Sequence, residues 1–225
     1  MMNKNLIYSV LVAGGLFANV SINAAPIVLD FEGAGNQANI NGFYNGGTDS
    51  AGNSGVNYGI QFGANTLSII DADAGGGGNF ANEPSPNTIM FFLTGTAVLN
   101  FAPGFDTGFS FFYTSSTAAT VNVYDGLDAT GNLIGSLDLT AQHTQNCTGD
   151  PSGTFCNWTA IGVAFAGVAR SIDFGGTVNQ TGYDDITFGS VTPGGGGGNP
   201  APEPASLALL GVGMAGLGFL RRRPT

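Results

Sequence analysis

From Ile27 onward the chain alternates apolar and polar residues with a period of two, in short runs set between clusters of Gly, Asn, Asp and Thr. Successive side chains of a strand point to opposite faces, so this pattern predicts strands with one face buried. The runs fall at 27–31, 59–62, 67–70, 88–93, 96–101, 108–113, 120–124, 133–139, 158–165, 169–174 and 183–188. Turn pairs such as Asp125-Gly126 and Gly131-Asn132 separate several of them, because Gly and Asn tolerate the backbone of tight turns. No stretch between residues 26 and 192 keeps a helical apolar period over a useful length. These strands are enough for two packed sheets, so residues 26–192 are expected to form one all-β domain, a β-sandwich of jelly-roll type.

Both ends break the alternation. Lys4 precedes an apolar run over 6–20 and the small-residue stretch Ser21, Ile22, Asn23, Ala24, Ala25. A positive start, an apolar centre and small residues at a cut site make residues 1–25 a secretory signal peptide, with cleavage expected near Ala24 or Ala25. At the other end, residues 193–201 form a Pro and Gly linker, followed by Pro202, Glu203 and Pro204, an apolar run over 207–220, and Arg221, Arg222 and Arg223. Such a linker is flexible or extended and holds a folded domain away from a bilayer. The 14-residue run 207–220 makes a helix of about 21 Å, short against about 30 Å of hydrocarbon. It is therefore read as a short hydrophobic helix, marginal as a permanent span. The three arginines would stay on the cytoplasmic side and leave the domain outside.

This tail, over residues 202–225, resembles the PEP-CTERM sorting signal of Gram-negative bacteria. The resemblance implies that an integral-membrane exosortase recognises Pro202, Glu203 and Pro204 and processes the tail, with 207–220 as a transient inner-membrane anchor and Arg221 to Arg223 as its stop. It implies an exported cell-surface or extracellular-matrix protein, associated with exopolysaccharide or biofilm. The rival reading is a plain C-terminal anchor without processing.

Charge narrows the partners. Between Pro26 and Pro200 one arginine, Arg170, stands against 14 acidic residues, a formal charge of −13. Nucleic acid is excluded as a partner, since a phosphate backbone is held by several Lys or Arg. Charged residues make up only 9% of the chain and Gly numbers 38, a balance that suits short strands and tight turns. Cys147 and Cys156 lie in an exported, disulfide-permissive context across a loop rich in Gly, Pro and Asp, so a disulfide is expected between them. His143 is the one histidine in the chain, so a zinc site at this pair would lack a fourth ligand of that kind.

Within the domain, Phe31-Glu32 near the start and Tyr183-Asp184-Asp185-Ile186 near the end resemble the opening and closing strands of extracellular jelly-roll modules, as does the stretch from Val121 to Gly135. Carbohydrate-binding modules are among these. Calcium is the candidate cofactor, with Glu32, Asp184 and Asp185, and Asp30 beside them, as the oxygen ligands a hard cation requires. Asp184 and Asp185 are adjacent, so both can face one site only if the strand frays or bulges there. The Asp71, Asp73 stretch fails as an EF-hand because Gly75 and Asn82 stand where ligands are needed, and it is read as a flexible loop.

Catalysis is not expected. Nucleophilic and acid–base sites combine His, Lys or Cys with a carboxylate, and the domain has one His and no Lys, while no pair of acids singles itself out for glycoside hydrolysis. A sandwich glycosidase remains the least favoured alternative, after a carbohydrate-binding module with a defined glycan. Tyr44, Tyr58, Tyr113, Tyr124 and Trp158 are the aromatics available to stack on sugar rings. Asn146, Asn157 and Asn179 each begin a possible glycosylation sequon.

Overall fold

The computed structural model describes residues 26–143, 147–148 and 153–194. Among the described residues there are twelve strands and no helix: β1 (Ile27–Leu29), β2 (Ala38–Asn39), β3 (Ile60–Phe62), β4 (Thr66–Ile70), β5 (Thr88–Phe92), β6 (Ala97–Phe105), β7 (Gly108–Ser115), β8 (Ala119–Tyr124), β9 (Leu133–Leu139), β10 (Thr159–Ala164), β11 (Ala169–Phe174) and β12 (Thr181–Phe188). The signal segment 1–25, Asn146, the linker from residue 195, Pro202 to Pro204, the run 207–220 and Arg221 to Arg223 lie outside the described residues.

The strands form two antiparallel sheets. One runs β10-β7-β12-β5-β4-β2 with β1 also paired to β12, and the other runs β3-β6-β11-β8-β9. Strand β12 sits between β5 and β7, and β11 between β6 and β8. That interleaving of late strands among early ones is the double Greek key of a jelly roll. The sandwich expected from the alternation is therefore the fold observed.

Aromatic rings fill the space between the sheets. Phe109, Phe111 and Tyr113 of β7 alternate inward and meet Phe174 of β11 and Tyr183 and Phe188 of β12, with Phe111 to Phe174 centroids 5.9 Å apart and Phe174 to Tyr183 4.9 Å apart. Edge-on contacts of this kind add to the area they bury. The Tyr183 hydroxyl, buried with its ring, donates to Gly175 O at 2.8 Å, which satisfies it.

Strand ends depart from the periodicity where backbone geometry intervenes. β1 stops at Leu29 rather than reaching Phe31, because Phe31 has φ 60 and its N–H donates to the Tyr44 hydroxyl at 2.8 Å instead of to a neighbouring strand. β12 carries a bulge: Asp184 pairs with Phe112 and Thr187 with Ser110, so β12 spends one more residue than β7 over that step. The extra residue lets Tyr183, Ile186 and Phe188 all face the core although their spacing is not even throughout. Asp185 takes up the distortion with φ 48, and the Thr187 hydroxyl donates to Asp185 O at 2.8 Å.

Two further segments cover the outer face of the larger sheet. Residues 71–87 and 153–158 lie over β4 and β5, so that Ile89 and Phe91, which alternation alone would place in solvent, are buried. The two covers join through the Phe80–Phe155 bridge, Asn79 Nδ2 donating to Thr154 Oγ1 at 2.6 Å, and Trp158 Nε1 donating to Ala81 O at 3.1 Å. After β12 the chain turns back over β7 and β10, with Ser110 Oγ donating to Ser190 O at 2.9 Å and Gly194 N to Thr187 Oγ1 at 3.0 Å. Gly162 is required beneath this strap, since a Cβ there would stand 2.2 Å from Val191 O.

Candidate functional site

Two places in the domain gather chemistry. The first is the corner where β1 and β5 both reach β12: β1 pairs with Ile186 to Phe188 and β5 with Tyr183, so the bulge at Asp184 and Asp185 lies between them. Residues 30–32, leaving β1, and 83–88, entering β5, close over that gap. Asp184 is buried and accepts from Ser85 N at 2.8 Å and Asp185 N at 2.7 Å, while Ser85 Oγ lies 2.7 Å from Asp184 Oδ1 and 3.0 Å from Asp30 O. Glu32 accepts from Thr88 N at 2.8 Å, and Asp30 accepts from Glu32 N at 3.2 Å.

These contacts favour a protonated Asp184. A serine hydroxyl has one hydrogen, and Asp30 O can only accept. Both Ser85 contacts are hydrogen bonds only if Ser85 donates to Asp30 O and a protonated Asp184 donates to Ser85 Oγ. Burial pushes the Asp184 carboxyl in the same direction, up to about 8, against the Ser85 bonds and with Asp185 adding repulsion. Burial also raises Asp185, with Asp30 contributing, and raises Glu32, where the Thr88 N–H opposes and Asp30 and Glu83 add.

The bulge that the sequence reading required at Asp184 and Asp185 is present, with Glu32 bonded to Thr88 and Asp184 to Ser85 and Asp185. That reading did not foresee that Glu32 and Asp184 hold backbone N–H groups of the 85–88 segment. Among the described residues no three His, Cys, Asp or Glu side chains are gathered as a metal-ligand group. Asp30, Glu32, Asp184 and Asp185 border this corner without forming such a group.

The second place is a cavity of about 40 Å³ on the outer face of the larger sheet, lined by Ile89, Phe91, Thr114 and Gly182 below and by Phe80, Phe155 and Asn179 from the loops. Its existence depends on the covering loops. Thr114 is buried and its hydroxyl has no hydrogen-bond partner. The Cys147–Cys156 disulfide is present, Cα atoms 5.6 Å apart, at the base of the loop that carries Phe155. His143 lies with its ring centroid 6.0 Å from that of Phe155.

Other expected residues fall out differently. Tyr44 and Tyr113 are buried in the core, so neither offers a face to a sugar. Trp158 meets Phe80 edge-on at 6.3 Å and is tied to Ala81. Residues 71–78, expected as a flexible loop, form a hydrogen-bonded turn in which Gly76 N and Gly78 N donate to Asp71 O and Ile70 O, at 2.8 and 2.9 Å. Asn157 and Asn179 are exposed. Sequence reasoning passed over Asp49, whose carboxylate accepts from Gly35 N, Ala51 N and Asn53 N and so braces the 42–57 loop.

Residues 200–223 match the family described as the PEP-CTERM protein-sorting motif. The chain carries a PEP-CTERM sorting motif. The motif makes it an exported protein processed by an exosortase and held in the membrane transiently before that step. No curated protein matches the chain. Among solved structures, the K2 cleaved adhesin domain of Lys-gingipain is similar, at 10% identity over 74% of this chain and 98% of that one, with a TM-score of 0.47. A family 43 arabinoxylan arabinofuranohydrolase from Bacillus subtilis is similar at 19% identity, 63% and 30% coverage and a TM-score of 0.37. A carbohydrate-binding module from Cellvibrio mixtus lichenase 5A is similar at 11% identity, 56% and 88% coverage and a TM-score of 0.33. Likenesses of this size assign the chain neither ligand nor activity.

Proposed function

We propose that this PEP-CTERM protein is a non-catalytic component of the cell surface or extracellular matrix, released from the inner membrane by an exosortase, whose sandwich adheres to extracellular polysaccharide. The observation that carries the reading is the sorting motif at 200–223, joined to a domain of formal charge −13 between Pro26 and Pro200 with Arg170 as its one cation. A domain so short of cations suits a neutral glycan better than an acidic polymer. The alternative of a binding module with one defined glycan is favoured by the loop-built cavity. Calcium belongs to the proposal as a ligand of the Asp30, Glu32, Asp184 and Asp185 corner, where burial, with repulsion from neighbouring acids added to it, raises the last three and a cation would favour their charged forms.

Fractionation of the native host tests this reading. The protein should be found in the matrix fraction and be freed by enzymatic digestion of the polysaccharide, and deletion of the exosortase should leave it with the membranes. Protein that stays in the membrane fraction of both strains contradicts the proposal.

A further inference from the structure

We propose that the free edge of β10 is a docking surface for a second copy of this chain, which lays its own β10 antiparallel against it and joins the larger sheets of the two copies. The inference goes beyond the glycan reading above and does not rest on it.

A strand at the edge of a sheet presents unpaired N–H and C=O groups, and folded domains cover or blunt such edges. This domain does so elsewhere. Against β2, Ser50 N donates to Asn39 O at 2.9 Å and Asn39 N donates to Ser50 Oγ at 2.8 Å. Against β3, Phe62 N donates to Asn41 O at 2.9 Å and Ile60 N to Tyr44 O at 3.1 Å, so the 41–44 segment stands where a further strand would. β1 is three residues long, and β9 carries a register shift before Gly135 and the exposed Asp138. β10 has none of these devices. Its six residues pair with β7 in unbroken register, from Thr159 opposite Tyr113 to Ala164 opposite Gly108. Among the described residues no main-chain hydrogen bond reaches its other side. The strand has no proline, and Thr159, Ala160 and Ala164 are exposed.

Charge selects the occupant. No charged residue lies between Asp150 and Arg170, and the strap over β7 and β10, residues 189–194, carries none either. Asp106 stands in the turn beyond the Ala164 end. The domain as a whole sets 14 acids against one arginine, so two copies repel on most approaches, while a basic partner would be drawn to acids that this edge lacks. The uncharged strand is where like-charged copies meet without opposition. Laid antiparallel to its own copy, a strand exchanges the same N–H and C=O groups in both directions, an isologous contact about a twofold axis. Exposed apolar side chains flank it: Val168 lies between β10 and β11, and Val191 belongs to the strap that crosses Gly162. A second copy would cover them.

The experiment follows exported protein purified from the host by sedimentation velocity over a dilution series, with hydrogen exchange at each concentration. Single copies should give way to pairs as concentration rises, and amides of 159–164 should exchange more slowly in the pairs. Ala160→Asp, a charge of the kind natural edges carry, should weaken pairing roughly tenfold or more at unchanged Tm. Ala64→Asp, the same charge at the exposed turn between β3 and β4, should leave pairing intact. Single copies at every concentration overturn the proposal, whether or not matrix polysaccharide slows exchange at 159–164. Pairs that survive Ala160→Asp unweakened, or that protect a different edge, overturn it as well. Should Ala160→Asp fail to fold, exchange in the wild type decides alone, and rates at 159–164 that do not change with concentration overturn the proposal.

Discussion

Replacing Asp184 by Ala removes the acceptor that fixes the 85–88 segment onto the bulge of β12. Two N–H groups, of Ser85 and Asp185, lose their partner, and Ser85 Oγ loses its contact at 2.7 Å. Each buried donor left unpaired costs about 1–3 kcal/mol, so the variant should lose about 4 kcal/mol, a large share of the roughly 5–15 kcal/mol of a typical domain. For a domain of this size that is a fall in Tm of about 8–16 °C. Asp184→Asn is the informative contrast. Its amide can donate to Ser85 Oγ, as the protonated acid does, and its carbonyl can accept from Ser85 N, so the loss should stay near 1 kcal/mol. The pH profile separates the two further. The folded-state pKa of about 8 lies above the unfolded value of about 3.9, so the native state binds the extra proton. The stabilisation is complete below about pH 4 and is lost as pH rises toward 8. Wild-type protein should therefore melt at a lower temperature at pH 8.5 than at pH 5, and Asp184→Asn should flatten that slope. Thermal unfolding followed by circular dichroism across this range reads both effects. Equal destabilisation by Ala and Asn, or a slope that survives in Asp184→Asn, would refute the protonated hydrogen-bond chain.

Three further outcomes are expected. Calcium should raise Tm by mass action on the folded state, an increase that Asp185→Asn abolishes and Asp71→Ala leaves intact; a melting curve indifferent to calcium and to chelator would end the cation proposal. Reduction of Cys147–Cys156 should cost about 2–3 kcal/mol and loosen the cover over β4 and β5 while the core persists. Trp158 is the one tryptophan and sits in that cover, so its emission should shift to the red with the backbone circular dichroism unchanged, and loss of the sheet signal would contradict a local role. Gly162→Ala should cost about 1–3 kcal/mol by overpacking, because its Cβ meets the backbone of Val191; unaltered stability in urea unfolding would show that the strap is not seated there.

The jelly roll was legible because its strands bury one face. The runs at 133–139 and 169–174 coincide with β9 and β11, and the inward positions of β7 are the apolar ones its alternation marks. What alternation hides is backbone geometry and anything covered on its second face. The two-residue β2 is too short to show a period, and the left-handed Phe31 ends β1 early. Ile89 and Phe91 break the alternation of β5, which becomes buried on both sides, and that departure was the signal that a cover exists. In the acidic corner Glu32 and Asp184 were visible as acids on the first and last strands, but their partners, Thr88 N and Ser85 N, are main-chain groups far away in sequence. Thr114 gave no signal, since an outward threonine in a strand is ordinary until a loop closes over it.

The sorting account stands most directly on the mass of the mature protein. A chain processed at its PEP-CTERM motif should leave the native host without residues 207–223, and Glu203→Ala or deletion of the exosortase should leave a membrane-bound form that retains them. A plain anchor would keep the 14 apolar residues of 207–220 embedded by thinning the bilayer locally. Intact-mass measurement of the released protein should find a C-terminus close to Pro202, Glu203 and Pro204; released protein that still ends in the arginines and Thr225 would contradict the account.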